Sequence, residues 1–165
     1  MATKINFNGK IYDELSVSVM DHGFLFGDSV YEVVSTLNNE PCFLDKHLGR
    51  LYNSAQAISL KIPHDKEWFE EQLESTLVAA SNEESYIRII VTRGVGEINI
   101  DPSSCESPNI ILMVTDVAEY SKSFYEKGIQ VALVSIKRNP LDSLSPNIKT
   151  GNYLNNVLAK LEAEK

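Results

Sequence analysis

Lys149 is the residue whose surroundings are best suited to chemistry. It lies in the segment SPNIKTGNYLNN, residues 145–156, and no other charged residue occurs between Ser143 and Leu158. Such a lysine is a candidate for the partly desolvated amine that Schiff-base chemistry needs, because only the neutral amine attacks a carbonyl group. The alternative left open by the spacing is an ordinary solvated lysine near the start of a helix.

Arg50 is a second candidate, because it lies on a helical face that must approach a sheet. The spacing places it on one stripe with His47, Leu51 and Ser54. A guanidinium held there can bind a phosphate or a carboxylate with two parallel hydrogen bonds. The alternative is an exposed arginine that pairs with Asp45 or Glu32.

Arg88 and Tyr31 belong to two predicted strands. Arg88 interrupts the otherwise apolar run YIRIIVTRG, and a charge in a central strand is costly unless it is paired. It therefore either meets a structural carboxylate or lines a polar pocket. Alternation places Tyr31 beside Val33 and Ser35, where it can form a pocket wall or pack in the core with its hydroxyl satisfied.

Other polar residues are weaker candidates. Asp21 and Asp28 bracket the segment HGFLFG, and we interpret them as turn-stabilising groups rather than an acid/base pair. No metal site is predicted, because the histidines and cysteines show no ligand spacing: His22, His47, His64, Cys42 and Cys105.

Composition limits the class of protein. The 165-residue chain has a net charge of -8 and no run of Lys or Arg, which makes nucleic acid an improbable partner. Its hydrophobic content of 43% is typical of a globular domain. The chain contains no apolar run of the roughly 18 residues that cross a membrane and no signal peptide pattern, so we expect a soluble cytoplasmic protein.

The elements that must position these residues suggest an α+β fold with an N-terminal antiparallel sheet and two helices. Asn8-Gly9 predicts an opening hairpin, and residues 20–28 predict a partly buried loop. Asp45 is the expected N-cap of the first helix. Strands are predicted over residues 16–19, 29–37, 86–94 and 109–117, and helices over 45–60 and 64–80.

The C-terminal part predicts an incomplete second domain of the α/β type. We divide the chain into a small α+β domain (1–120), a linker (121–128) and the truncated beginning of a larger domain (129–165). The last part contains a predicted strand over 129–137 and a helix over 151–165. One strand and one helix cannot bury both of their apolar faces, so we expect this part to need further protein surface.

Four stretches together resemble the successive motifs of the class IV, or fold-type IV, pyridoxal phosphate-dependent aminotransferases. They are DHGFLFGDSVYEVV (21–34), FLDKHLGRLYNSAQAISLKIP (43–63), YIRIIVTRG (86–94) and IKTGNYLNNVLAKLEA (148–163). The resemblance runs in the right order over nearly the whole chain. It implies the cofactor pyridoxal 5'-phosphate and a homodimer or higher assembly, with the site completed by a neighbouring subunit.

The resemblance also implies roles for individual residues. Lys149 matches the lysine that forms a Schiff base with the cofactor and later carries the proton. Arg50 matches the arginine that binds the cofactor phosphate, and Tyr153 matches a tyrosine that contacts the cofactor ring oxygen. On the substrate side, Tyr31 matches an aromatic pocket residue. Tyr86 and Arg88 resemble the pair that recognises the substrate carboxylate in branched-chain enzymes.

Two departures shape the expected activity. The family continues beyond the lysine helix to a glutamate that pairs with the pyridine nitrogen, whereas this sequence ends at Lys165. We therefore expect this chain alone to be a poor catalyst. The segment RGVGEIN lacks the arginine and histidine that D-amino-acid enzymes place after TRG, which favours the branched-chain subclass.

The expected reaction is amino transfer between a branched-chain or other apolar L-amino acid and 2-oxoglutarate. The same family leaves a D-amino-acid aminotransferase or an aminodeoxychorismate lyase as alternatives. A non-catalytic remnant that folds and associates without binding cofactor is the alternative of another class.

Overall fold

The computed structural model describes residues 3–118 and 120–164. It opens with the expected hairpin of β1 (Lys4–Phe7) and β2 (Lys10–Tyr12). Asn8 and Gly9 join the two strands with φ values of 50° and 88°. Both residues therefore adopt the left-handed conformation that Asn-Gly tolerates better than other dipeptides.

The remaining strands are β3 (Ser29–Leu37), β4 (Glu40–Pro41), β5 (Ser85–Thr92) and β6 (Asn109–Asp116). The described strands form a six-stranded antiparallel sheet in the order β2-β1-β6-β5-β3-β4. Three of the four predicted strands are confirmed within a few residues, together with the antiparallel α+β character of this part of the chain.

Two long helices cover one face of the sheet. These are α2 (Leu44–Ala57), which packs on β3, and α3 (Lys66–Ala80), which packs on β1 and β6. Burial of apolar side chains between the helices and this face supplies the main stabilisation of the fold. The most completely buried of them are Val30, Leu48, Leu51, Phe69, Ile87, Ile89, Leu112 and Val114.

The other face carries the side chains of the alternate positions. In the strand register, Val33 lies opposite Arg88 and Arg88 opposite Met113, while Tyr31 lies opposite Ile90. Because directly paired residues share a face, Tyr31 and Arg88 lie together on the face away from α2 and α3. Tyr86, two residues before Arg88, shares that face.

Two N-terminal predictions are wrong. Residues 16–19 form no strand, because the sheet ends at β2 and no described strand lies beside them to pair with. The predicted loop 20–28 contains a short helix, α1 (His22–Phe26), capped by Asp21. Its five residues are too few to show a helical period in the sequence.

Asp45 is not the N-cap of α2, contrary to the sequence prediction. The cap residue is Phe43, whose φ of 54° ends the preceding turn in a left-handed conformation. Asp45 instead lies in the first turn, where a carboxylate interacts favourably with the helix dipole, and it forms an ion pair with Lys66. The second helix is capped by Asp65, whose carboxylate accepts a hydrogen bond from the Trp68 N–H.

The C-terminal part contains α4 (Lys122–Lys127), which ends at Gly128, and α5 (Leu154–Ala163). The predicted strand over residues 129–137 is not formed. A strand requires a hydrogen-bonding neighbour, and none of the described strands lies along this segment. Ser135 and Lys137 instead contact α5 through Glu162 and Asn155. None of the described helices is long and apolar enough to cross a membrane.

Candidate active site

The backbone of Lys149 is attached to the edge of β3. The Lys149 carbonyl accepts a hydrogen bond from the Tyr31 N–H at 3.0 Å, and the Gly151 N–H donates to the Ser29 carbonyl at 2.9 Å. Thr150, between them, forms an antiparallel bridge with Val30. A Cβ atom at position 151 would lie only 2.3 Å from Ser29 Oγ, so a larger residue there would force the Ser29 hydroxyl to move.

The Lys149 ammonium lies against two aromatic rings. Its Nζ is 4.2 Å from the centroid of the Tyr31 ring and 5.9 Å from that of Tyr153. The two rings contact each other edge to face, with centroids 5.3 Å apart. A cation within about 6 Å of an aromatic face is attracted by its quadrupole, so the rings orient the amine.

The pKa values of these two tyrosine hydroxyls are shifted in opposite directions. Burial, together with the interaction with Tyr153, raises the pKa of Tyr31 well above its ordinary value. The interaction with the Tyr31 hydroxyl and the nearby Lys149 charge lower the pKa of Tyr153, against the effect of burial. Of the pair, Tyr153 is therefore the phenol that ionises first.

Arg50 is oriented by a carboxylate from the sheet. Glu32 is fully buried on β3 and accepts hydrogen bonds from Arg50 Nε at 2.5 Å and Nη2 at 2.7 Å. His47 Nδ1 lies 2.8 Å from the same carboxylate. Burial alone would raise the pKa of Glu32, but these hydrogen bonds outweigh it and hold the pKa below its ordinary value.

The pairing with Glu32, one of the two arrangements expected for Arg50, leaves the guanidinium able to bind a ligand. A guanidinium has five N–H donors, and the two bonds to Glu32 use only two of them. The Arg50 side chain is 53% exposed, in contrast to its buried partner. Its free edge and Lys149 line one cavity of about 400 Å³, which Arg138 and Tyr153 also line.

Arg88 contacts the Tyr31 ring on the open face of the sheet. Its Cζ atom is 4.5 Å from the centroid of the Tyr31 ring. Its Nε is buried and has no hydrogen-bond partner among the described residues, and no carboxylate there pairs with it. Of the two sequence alternatives, pairing with a structural carboxylate is thus not found among the described residues, and the polar pocket stays a prediction. Tyr86 lies two residues away on the same face.

Three of the other candidates have structural roles. Asp21 caps α1 and accepts hydrogen bonds from Thr92 and Asn109 at 2.8 and 2.7 Å. Asp28 forms a bidentate ion pair with Arg93 rather than stabilising a turn. His22 is buried, with Nε2 2.9 Å from the carbonyl oxygen of Glu97. In residues 3–118 and 120–164, no group of three His, Cys, Asp or Glu side chains is placed to hold a metal ion.

Sequence reasoning missed the contributions of Arg138 and Ser54. Arg138 lines the cavity and donates from Nη2 to the Pro146 carbonyl at 3.2 Å. The sequence feature that could have indicated Arg138 is its positive charge in a proline-containing loop. Ser54 was noted on the stripe of Arg50, but its hydrogen bond to the Lys149 backbone joins residues 95 positions apart, a separation that no sequence periodicity reports.

Comparison with known proteins identifies the family to which this arrangement belongs. The sequence profile described as "Amino-transferase class IV" matches residues 29–165, which include each candidate site residue from Tyr31 to Tyr153. The chain belongs to the class IV aminotransferases. This result confirms the family suggested by the four sequence motifs.

Individual relatives divide between two activities. A Methanocaldococcus jannaschii protein, provisionally named as a branched-chain-amino-acid aminotransferase, is 40% identical over 97% of this chain and 55% of its own length. A Listeria monocytogenes D-alanine aminotransferase is 31% identical over 93% of this chain and 52% of its own length. Family membership alone therefore leaves the substrate open.

A solved class IV structure has the same fold. The branched-chain amino acid aminotransferase of Escherichia coli superposes with a TM-score of 0.91 at 24% identity. The match covers 99% of this chain and 57% of that chain, and at this identity it shows the fold alone. This class IV chain spans about half the length of the curated relatives it matches.

Proposed function

We propose that the protein is a pyridoxal phosphate-dependent aminotransferase that moves an amino group between an apolar, branched-chain-type L-amino acid and 2-oxoglutarate. The observation that carries this proposal is one cavity lined by both the Lys149 amine and the Arg50 guanidinium. An amine and an anion-binding group at one cavity match a ligand that bears an aldehyde and a phosphate.

The residues at the cavity fit this cofactor, which class IV aminotransferases use. Arg50 and Arg138 would bind the phosphate and any other anionic group of the cofactor. Lys149 would bind the cofactor covalently, and Tyr153 would contact its ring. When bound, pyridoxal phosphate supplies an aldehyde that accepts an amino group and a ring that withdraws electrons from the substrate Cα.

The residues of this chain would carry out the remaining tasks. The Lys149 amine, held between the rings of Tyr31 and Tyr153, is placed to move a proton at its Nζ. Arg88 would bind the substrate carboxylate, because its buried Nε lacks a partner within the described chain and an anion would satisfy it. Tyr31, which contacts both cations, would keep them in a fixed relation.

The surface beside Arg88 supports an apolar substrate. Val33 and Met113 flank Arg88 directly in the strand register, and Ile90 follows two residues later on the same face. An aliphatic side chain placed next to a bound carboxylate would therefore contact apolar groups. The Methanocaldococcus jannaschii relative, which is named for branched-chain amino acids, is consistent with this preference.

D-Amino-acid transamination is the second candidate, favoured by the D-alanine aminotransferase relative in Listeria monocytogenes. Against it, the residues after Gly94 are Val95, Gly96 and Glu97, none of which can provide a cation for a carboxylate. The aminodeoxychorismate lyase predicted as a further alternative differs in its product, because it releases pyruvate.

A panel of amino donors tests the proposal. The protein is incubated with pyridoxal phosphate, 2-oxoglutarate and L-leucine, L-valine, D-alanine or D-glutamate, and the keto acid formed from each donor is measured. Because this chain alone is expected to be a poor catalyst, we expect slow formation of product from L-leucine and L-valine and none from Lys149→Ala. Product from the D-donors alone would replace the proposal by the second candidate, and pyruvate released from aminodeoxychorismate would identify the lyase.

We also propose that two copies associate through an exposed apolar surface. We call it the association surface and define it as Val19, Phe24, Val95, Ile98 and Ile100, whose exposed fractions run from 48% to 88%. The two segments that form it are joined, because Asp21 bridges Val95 and the Gly96 N–H donates to the Met20 carbonyl at 3.2 Å. Exposed apolar clusters of this kind mark interaction sites.

The division into domains stays part of the proposal. Residues 1–120 would form the small domain, 121–128 the linker and 129–165 part of the cofactor-binding domain. The exposed apolar side chains of α5, Leu154, Val157, Leu158 and Leu161, support a further packing partner for this last part. The cytoplasmic location remains a prediction from the sequence.

A further inference from the structure

The hydroxyl of Ser54 contacts the backbone of Lys149. Ser54 lies on α2, its exposed fraction is 3%, and its Oγ accepts a hydrogen bond from the Lys149 N–H at 3.2 Å. Within residues 3–118 and 120–164, Ser54 Oγ forms no other hydrogen bond. A buried helical hydroxyl that bonds to a distant segment is unusual, because Ser and Thr in helices commonly bond to their own helix.

Thr76 on α3 shows this common arrangement for comparison. It is also buried, and its Oγ1 donates to the Gln72 carbonyl four residues earlier at 2.6 Å. Ser54 therefore differs from a hydroxyl that serves only its own helix.

The Lys149 backbone is thus held from two elements at once. Its N–H is bound by Ser54 on α2, and its carbonyl is bound by the Tyr31 N–H on β3 at 3.0 Å. With both backbone polar groups bound, the peptide planes on either side of Lys149 have fixed orientations. The direction in which the side chain leaves the backbone is fixed with them.

Helix α2 also carries Arg50, four residues before Ser54. Residues at this spacing lie on one face of a helix, about 6 Å apart along its axis. The same rigid helix therefore holds the guanidinium at the cavity and the hydroxyl that binds the lysine backbone. The distance between the anion-binding group and the amine then depends on the geometry of α2 rather than on the loop before Lys149.

We propose that Ser54 is a positioning residue, which acts through the Lys149 backbone to hold the amine at a set distance from Arg50. This inference rests on the function proposed above, because it assigns Ser54 a role in that site. Ser54 itself is not among the residues that line the cavity, and its hydrogen bond goes to the Lys149 backbone rather than to the reacting amine.

Hydrogen exchange of the Lys149 amide tests the contact directly. In the full chain, Ser54→Ala should raise the exchange rate of the Lys149 amide by about fivefold, the effect of losing one hydrogen bond. The amides of Leu51 and Ala55 on the same helix should keep their wild-type rates. Ser75→Ala is the matched control, since it removes an exposed hydroxyl from α3 and should change none of these rates.

Two conservative variants separate the hydrogen bond from space filling. Ser54→Thr keeps an acceptor oxygen and should restore slow exchange at Lys149. Ser54→Cys nearly keeps the volume but offers a weak acceptor, so it should behave like Ser54→Ala. Slow exchange in both Ser54→Ala and Ser54→Cys would overturn the inference. If threonine at position 54 overpacks the helix and the Ser54→Thr protein unfolds, the Lys149 exchange rates in Ser54→Ala and Ser54→Cys still decide whether the hydrogen bond is responsible.

The effect on the site is measured with two probes. Attachment of pyridoxal phosphate to Lys149 is monitored by absorbance. The rate of attachment should fall several-fold in Ser54→Ala and return to the wild-type value in Ser54→Thr. Binding of inorganic phosphate, which depends on Arg50, should stay unchanged in both. Attachment at the wild-type rate in Ser54→Ala, despite rapid amide exchange, would show that the hydrogen bond has no part in positioning the amine.

The experiments distinguish failure of the positioning role of Ser54 from failure of the proposed function. If the wild-type protein does not bind pyridoxal phosphate at all, the proposed function fails, whereas amide exchange still reports whether Ser54 holds the Lys149 backbone. If the wild type binds it and the exchange of Lys149 does not respond to Ser54→Ala, only the positioning role fails.

Discussion

The Lys149 Nζ lies 4.2 Å from the centroid of the Tyr31 ring, and the Cζ of Arg88 lies 4.5 Å from the same centroid. One aromatic side chain on β3 therefore contacts the amine of a loop and the guanidinium of a neighbouring strand. In the function proposed above, these cations bind the cofactor and the substrate carboxylate, so Tyr31 connects two parts of one reaction site.

Lys149→Ala should abolish covalent binding of pyridoxal phosphate, because no other lysine of the described residues lines the cavity with Arg50. The measurement is the absorbance change on mixing, followed by mass analysis of the modified peptide. Lys160→Ala, which removes an exposed lysine of α5 that pairs with Glu164, is the control and should bind as the wild type does. A wild-type spectrum for Lys149→Ala would reject the assignment of Lys149.

Arg50→Lys should weaken binding of pyridoxal phosphate by about 10-fold or more, because a lysine keeps the charge but loses the bidentate geometry. Binding of pyridoxal, which has no phosphate, should change little. Titration of both ligands measures the two affinities. Lys46→Gln removes another cation from the exposed surface of α2 and serves as the control. An equal loss for both ligands would argue against phosphate binding by Arg50.

Glu32→Gln should lower the free energy of unfolding at neutral pH and make this free energy depend less on pH in the acid range. The pKa of Glu32 is lowered in the folded state, so its ionised form stabilises the protein above the ordinary value of 4.5. That contribution is lost as the pH falls through the lower folded-state pKa. Loss of hydrogen bonds from charged groups predicts a destabilisation of about 1.5–3 kcal/mol at pH 7.

Denaturant unfolding between pH 7 and pH 3 measures this effect of Glu32. The difference in unfolding free energy between wild type and Glu32→Gln should narrow as the pH falls. The control is Glu71→Gln, at an exposed position of α3, which should give a small and nearly constant difference. A difference for Glu32→Gln that does not depend on pH would contradict the lowered pKa.

Tyr153→Phe should remove the earliest phase of the alkaline tyrosinate titration. The chain has 7 tyrosines, and the Tyr153 pKa is lowered, whereas burial raises the pKa of Tyr52 to about 12. Ultraviolet absorbance against pH records the phases. Tyr31→Phe should shift the Tyr153 phase to higher pH, because it removes the interaction that lowers the Tyr153 pKa. Tyr125→Phe, at an exposed position, should leave the earliest phase intact.

Ile98→Asp should weaken self-association through the association surface, because a carboxylate buried in an apolar contact loses its hydration without gaining a partner. Sedimentation at several protein concentrations gives the dissociation constant, and an increase of roughly 5- to 150-fold is expected from a cost of about 1–3 kcal/mol. Val78→Asp, at another exposed apolar position on α3, is the control. Unchanged association in Ile98→Asp would place the interface elsewhere.

The sequence determined much of the fold and indicated the candidate site residues. Asn8-Gly9 specified a hairpin because both residues tolerate positive φ, and the β-branched run over 29–37 specified a strand whose alternation separates Tyr31 from Glu32. The order of four motifs indicated the family and pointed to Lys149. These features depend on local backbone preference and on short-range pattern, which a single sequence carries directly.

Only the tertiary structure decided how the residues are held. Arg50 could pair with Asp45 or Glu32 by sequence alone, and the fold selects Glu32 because β3 brings that carboxylate beneath α2. Ser54 and Lys149 are 95 residues apart, and their contact exists because the lysine segment bridges the edge of β3 beside α2. Likewise, residues 129–137 have the pattern of a strand but lack a neighbour in the sheet. Pairing between distant segments depends on topology, which local sequence preferences do not encode.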